Sequence, residues 1–217
     1  MIAVYSYKWV PDFARGLVRD LRVRWALEEA GLPYEQRLIG LGDDQVSPAY
    51  RALQPYGQVP AYVEGDLTLF ESGAIALHVA EKSEVLLPAD PVGRARAVSW
   101  LFSALNTIET PVQEMVGLDA FYGGEAWIEG RRPSLDAFLK LRLGELSTAL
   151  GDRDWLEGRF TVGDLMMVTV LQILRSTDYL AAHPNLTAYV ARGAARPAFR
   201  KALADQMASF QAEPEAA

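Results

Sequence analysis

The opening third of the chain switches between short apolar runs and helical stripes, whereas the remainder carries helical stripes alone. Ile2–Tyr7 is a β-type run, and Pro11, Asp12 and Gly16 interrupt the segment after it. From about Val18 the apolar positions Val18, Leu21, Val23, Trp25, Ala26 and Leu27 approximate one helical face, with charges between them. Gly31, with Pro33 beyond it, predicts the end of that helix. Tyr34–Ile39 resumes as a strand, so residues 2–39 read as a β-α-β unit with parallel strands and a right-handed crossover. Gly40–Pro55 is loop-rich, with one short helix expected at Pro48–Leu53. Ala61–Glu64 and Leu67–Phe70, joined by Gly65-Asp66, predict a tight hairpin, and Glu71-Ser72-Gly73 opens a helix running to Lys82.

Strand signals stop after Leu87–Pro91. Helices are expected over Gly93–Glu114, Ser134–Leu150, Val162–Ser176 and Pro184–Gln206, punctuated by Gly123-Gly124 and Gly151-Asp152. Strands followed by helices imply two domains. The expected division is an α/β domain over 1–83, a linker over 84–91, an all-α domain over 92–210 and a disordered tail over 211–217.

Composition narrows the chemistry. With 217 residues, half of them hydrophobic, the chain has ample material for buried cores. A net charge of -7 argues against nucleic acid as a partner. No apolar run approaches the roughly 20 residues of a membrane helix, and the opening segment reads as a strand, not a signal peptide. A cytoplasmic location is expected. The absence of cysteine excludes disulfides, thiolate metal sites and a cysteine nucleophile of the chain's own. The two histidines, His78 and His183, have no metal-binding spacing, so no metal is expected. The nucleophile elbow and the glycine-rich phosphate loops are absent too.

Three segments carry a resemblance. Arg22-Val-Arg-Trp-Ala-Leu-Glu-Glu-Ala-Gly-Leu-Pro-Tyr34 resembles the first helix and second-strand entry of the glutathione transferase family. Pro55-Tyr-Gly-Gln-Val-Pro-Ala61, with Leu69-Phe-Glu-Ser-Gly-Ala-Ile75, resembles that family's glutathione-binding signature. Thr161-Val-Gly-Asp164 is similar to the capping box of its helical domain. The resemblance implies a thioredoxin-like N-terminal domain on an α-helical C-terminal domain, a homodimer, and glutathione as cosubstrate.

It also implies a cis Val59-Pro60 bond, which would aim the Val59 N–H and C=O into a cleft where a peptide pairs as an added strand. Otherwise Pro60 is a plain proline at a strand entry. Ser72 and the first N–H groups of its helix suit a carboxylate, and Glu71 suits an ammonium, matching the γ-glutamyl end of glutathione. Ser72 also reads as an N-cap. Gln54 and Gln58 are further polar contacts. Thr161 and Asp164 are assigned to folding.

The family's activating Ser or Tyr has no counterpart between Lys8 and Tyr34, and the connection Lys8–Gly16 is longer than the pattern. Tyr7, at the strand end, or the cations Arg15 or Arg19 are the substitutes that could lower the glutathione thiol pKa. For a second, apolar substrate the resemblance points to Trp100, Ser103, Asn106, Thr107 and Tyr122, with Trp9 and Phe13 from the long loop. The leading expectation is transfer of glutathione to an electrophile, or related isomerase or peroxidase chemistry. The alternative is a non-catalytic glutathione-binding or protein-interaction module on the same fold.

Overall fold

Four strands form in the computed structural model, which describes residues 1–211, and each has the expected bounds. β1 (Ile2–Tyr7), β2 (Tyr34–Ile39), β3 (Ala61–Glu64) and β4 (Leu67–Phe70) make a mixed sheet of order β2-β1-β3-β4. β1 pairs parallel to β2, from Ile2 with Tyr34 to Tyr7 with Ile39. β3 runs antiparallel to both neighbours, Val4 facing Tyr62 and Ala61 facing Phe70. The two inner strands bury Val4, Ala61 and Tyr62, whereas β4 lies at an edge and stays largely exposed.

α1 (Asp20–Ala30) crosses between β1 and β2 and stops at Gly31, whose φ of 65° supplies the left-handed cap. It starts two residues beyond Val18, because the Val18 carbonyl is taken by Leu21 in a tighter turn and by the Gln206 amide. A short helix not anticipated, α2 (Asp43–Val46), precedes α3 (Pro48–Arg51). α3 ends before Leu53 because the N–H groups of Leu53 and Gln54 both turn onto the Tyr50 carbonyl. α4 (Ser72–Ala80) follows the hairpin.

The helical part departs further from the expected bounds. One long helical run holds α5 (Pro91–Phe102), a widened π turn (Ser103–Ile108) and α6 (Glu109–Tyr122). Pro111 accounts for the widened turn. It has no N–H to give to the Thr107 carbonyl, and its ring needs clearance from that oxygen. α7 (Trp127–Leu150) starts about two turns before Ser134 and runs through Pro133. α8 (Val162–Leu171) is buried at every residue and gives way to a 3-10 turn (Gln172–Leu174). The helix expected over Pro184–Gln206 is two, α9 (Pro184–Ala194) and α10 (Pro197–Ser209). Pro197 drives Arg196 into an extended conformation, with ψ 135°, and so ends α9.

The described residues divide into two compact units, one of Met1–Leu86 with residues 196–211, the other of Leu87–Ala195. α10 therefore belongs with the sheet and not with the other helices, which corrects the contiguous 92–210 domain. It packs on α1: Trp25 meets Phe199 edge-on at 4.8 Å, and Arg196 grips Glu29 with two bonds of 2.5 and 2.7 Å. The second unit is built around α8, against which α5 and α9 pack. The part of the expected tail over 212–217 lies outside the described residues, while the Gln211 N–H donates to the Lys8 carbonyl at 2.7 Å.

Candidate functional site

Strand direction brings the conspicuous segments of the first unit to one end of its sheet. β1 leaves there at Tyr7, β3 enters after Val59-Pro60, and β4 leaves into Glu71-Ser72 beside the entering strand, because Ala61 faces Phe70. The Val59-Pro60 bond is cis. Val59 is buried in a cluster with Ile39, Tyr50 and Ala61, against which Tyr5, Tyr7, Val18 and Leu53 pack. No hydrogen bond to the Val59 N–H occurs among the described residues.

At the start of α4, Glu71 is exposed and adopts φ 68° and ψ 116°, a conformation a non-glycine residue rarely takes. Ser72 is the first helical residue and not the cap. Its buried Oγ accepts a bond from the Arg22 guanidinium at 3.3 Å. The first ladder bond runs from the Ile75 N–H to the Glu71 carbonyl, so the N–H groups of residues 72–74 lie ahead of the ladder. A carboxylate there would meet oriented N–H groups, a hydroxyl, a buried cation and the positive end of the helix. The Glu71 carboxylate supplies the opposite charge. Arg22 was legible only as part of a helix; its reach of 50 residues to Ser72 depends on α1 lying against α4.

The loop before β3 is tied down by local bonds. The Gln54 side chain is buried, its Oε1 accepting from the Tyr56 N–H at 2.7 Å, so that oxygen serves the loop. Gln58 is exposed, while its carbonyl accepts from the Tyr50 hydroxyl at 2.6 Å. Gly57 takes φ 64°, and a Cβ there would come within 2.6 Å of the Gln45 carbonyl.

The activator candidates lie in the segment from Tyr7 to Asp20. Tyr7 is half-buried; burial, then the Asp20 carboxylate, pushes its phenol above the ordinary value. A phenol so shifted is a lasting hydrogen-bond donor and a poor proton acceptor. Tyr5, one pleat back, accepts from Arg37 at 3.1 Å. Ser6 faces the other way and receives a buried bond from Arg24 at 2.8 Å, as expected of its strand position. Arg15 pairs with Asp12 at 3.2 Å and stands 5.7 Å over the Phe210 ring. Arg19 is exposed at the N-cap of α1. Trp9, Pro11, Asp12 and Arg15 line a cleft, and Phe13 is exposed beside it.

Beneath this segment lies a charged network. Asp20 and Arg24 are each 1% exposed and paired at 2.7 Å, with Arg24 also bonded to Gln36 and Ser6. Gln206 donates to Asp20 at 2.7 Å and to the Val18 carbonyl at 3.1 Å. Burial pushes the Asp20 carboxyl up, against the pull of Arg24, Gln206 and Ser6.

The remaining candidates belong to the second unit. The Trp100 indole donates to Glu157 at 2.8 Å and its Cβ abuts Gly163, which are packing roles. Ser103, Asn106 and Thr107 ride on the π turn, the last two exposed. Tyr122 is exposed and meets Trp127 edge-on at 5.4 Å. Thr161 and Asp164 form the reciprocal cap of α8. His183 precedes α9. In the first unit, His78 bonds Glu64 at 3.0 Å. Among the described residues no cluster suits a metal ion, and no helix is long and apolar enough to cross a membrane.

Residues 14–81 match the family model of the glutathione S-transferase N-terminal domain, and residues 118–192 that of its C-terminal domain. The chain is 32% identical over 213 residues to glutathione S-transferase 4 of Zea mays, covering 92% of this chain and 91% of that protein. A solved glutathione transferase from Burkholderia graminis, with two glutathione molecules bound per subunit, superposes with a TM-score of 0.77 at 28% identity. That match covers 93% of this chain and 87% of the other. One from Pseudomonas putida, with one glutathione disulfide bound per subunit, gives 0.78 at 26% identity, covering 93% and 90%.

Proposed function

Since this chain belongs to the glutathione S-transferase family, we propose that it binds glutathione at Val59, Glu71 and Ser72 and uses the thiolate to attack a small electrophile. The observation that carries this is the shared sheet end, where Val59 with its uncommitted N–H enters beside the start of α4. The γ-glutamyl carboxylate is held by the first N–H groups of α4 and Ser72, with Arg22 behind, and its ammonium by Glu71. The cysteinyl backbone pairs with Val59, and the exposed Gln58 adds a polar contact along the tripeptide, whereas the buried Gln54 holds the loop that carries them.

With no cysteine in the chain, the nucleophile is the ligand's own sulfur. Tyr7 donates its hydroxyl to that sulfur; a charge-assisted bond of about 1.5–3 kcal/mol lowers the thiol pKa by about one to two units. Arg15 or Arg19 is the substitute should Tyr7 prove dispensable. The electrophile is a small apolar molecule. The enzyme works in the cytoplasm as a homodimer, the exposed Tyr56–Phe70 aromatic pair, 6.1 Å between rings, being one surface that association would cover.

Calorimetry with glutathione, followed by turnover of an activated aryl halide, tests the proposal. Absence of binding at millimolar glutathione refutes it. Binding without turnover leaves the non-catalytic module. Loss of turnover in Tyr7→Phe, with glutathione affinity retained, identifies the activator; the same loss in Arg15→Ala transfers that role.

A further inference from the structure

We propose that Tyr50 is a positioning residue of the glutathione site, its hydroxyl holding the Gln58 carbonyl and thereby aiming the Val59 N–H at the ligand. The inference rests on the glutathione reading above. Tyr50 sits in α3 with its backbone held on both sides. Its N–H donates to the Ser47 hydroxyl at 3.2 Å, and its carbonyl accepts from Leu53 and Gln54. Its ring is 4% exposed, packed among Ile39, Val59 and Ala61, and tilted against Tyr5 at 5.7 Å. From that fixed seat the hydroxyl donates to the Gln58 carbonyl at 2.6 Å. Burial, then the neighbouring Tyr7, Tyr5 and Asp20, pushes the phenol well above its ordinary range, so it remains a donor at every pH of assay.

The consequence for Val59 comes from peptide geometry. The bond between Gln58 and Val59 is trans, the cis bond being the next one along. In a trans unit the C=O and N–H point in opposite directions, so anchoring the Gln58 oxygen fixes where the Val59 N–H points. Pro60 has no N–H to anchor the far side. Packing alone does not demand the hydroxyl: phenylalanine would fill the same space without a buried polar group to satisfy. The polar atom serves orientation.

The test is Tyr50→Phe in the full chain, read by calorimetry with S-methylglutathione and by steady-state turnover of glutathione with an activated aryl halide. The expected result is a rise of about five-fold in Kd and in KM for glutathione, the worth of one hydrogen bond, with kcat within about two-fold and its pH profile unmoved. A purely structural role would instead lower kcat and thermal stability at unchanged KM, and that result overturns the proposal. A variant that fails to fold overturns it as well, since the ring alone is then not sufficient for stability. Amide exchange of the unmodified protein separates the two readings. Protection of the Val59 amide by S-methylglutathione, with an unchanged Kd in Tyr50→Phe, refutes the role of Tyr50 and leaves the glutathione site standing. Binding without protection refutes the pairing at Val59 and the role of Tyr50 with it. No binding at all refutes the glutathione reading itself.

Discussion

Asp164→Ala should be among the most damaging single changes in the second unit, far beyond the loss of a helix cap. Asp164 is fully buried at the third position of α8, and one oxygen accepts from the Thr161 N–H at 2.9 Å and its hydroxyl at 3.0 Å. The other accepts from the Leu156 N–H and the Tyr189 hydroxyl, both at 2.9 Å. Loss of the cap costs about 1–2 kcal/mol. The Leu156 N–H would lose its acceptor, and the buried Tyr189 hydroxyl would keep only the residue-164 carbonyl at 3.5 Å, at about 1–3 kcal/mol each. Taken from the lower half of those ranges the loss is about 4 kcal/mol, a large part of the roughly 5–15 kcal/mol that holds a domain folded. Thr161→Ala removes only cap bonds and should cost about 1 kcal/mol. Asp164→Asn keeps one acceptor oxygen, enough for two of the four bonds, and sheds a charge whose burial is unfavourable, so about 2 kcal/mol is expected. Urea unfolding followed by helical circular dichroism ranks the three. If Asp164→Ala falls within about 1 kcal/mol of Thr161→Ala, the bonds to Leu156 and Tyr189 carry no weight and the reasoning is wrong.

Four further outcomes rest on packing and charge. Gly57→Ala should weaken S-methylglutathione binding and cost about 2 kcal/mol, because its φ of 64° disfavours a side chain and the Cβ would lie 2.6 Å from the Gln45 carbonyl. Gly124→Ala, also at positive φ but with nothing within 4 Å, should cost about 1 kcal/mol; calorimetry and thermal melts compare the pair. Gly163→Ala should cost about 2–3 kcal/mol in urea titration, since its Cβ would meet the Trp100 Cβ at 2.6 Å and the Ala97 carbonyl at 2.9 Å where α5 crosses α8. Glu64 is held down to about 2 by Lys82, then His78 and Tyr62. A depressed carboxyl stabilises above its unfolded value of 4.5 and loses that contribution as pH falls towards 2. Glu64→Gln should therefore cost about 1 kcal/mol at pH 7, after allowance for its solvent exposure, and almost nothing near pH 2 in parallel melts.

Strand bounds were legible because turn residues flank each run, as Gly65-Asp66 does between β3 and β4, and α1 ended at Gly31 for the same local reason. Tertiary contacts decided the rest. The start of α1 depended on Gln206, 188 residues from Val18. The π turn at Ser103–Ile108 answered to Pro111, and the break between α9 and α10 to Pro197; both prolines were visible, and their effect on preceding residues was the signal passed over. At the site, Val59, Glu71 and Ser72 could be named because they are neighbours of a proline and a helix start. Arg22 and Tyr50 could not. Each reads as ordinary helix, and only the packing of α1 on α4, and of α3 beneath the loop, turns their side chains to the site.

The return of α10 to the sheet sets a schedule for biosynthesis. The ribosome releases residues 1–86 well before α10 exists, so Trp25 waits without Phe199, Glu29 without Arg196, and the Asp20–Arg24 pair without Gln206. The nascent first unit thus carries an uncovered tryptophan and an incompletely satisfied buried charge pair while the second unit, contiguous over Leu87–Ala195, is synthesised and free to fold. The unit that emerges first is the one that finishes last.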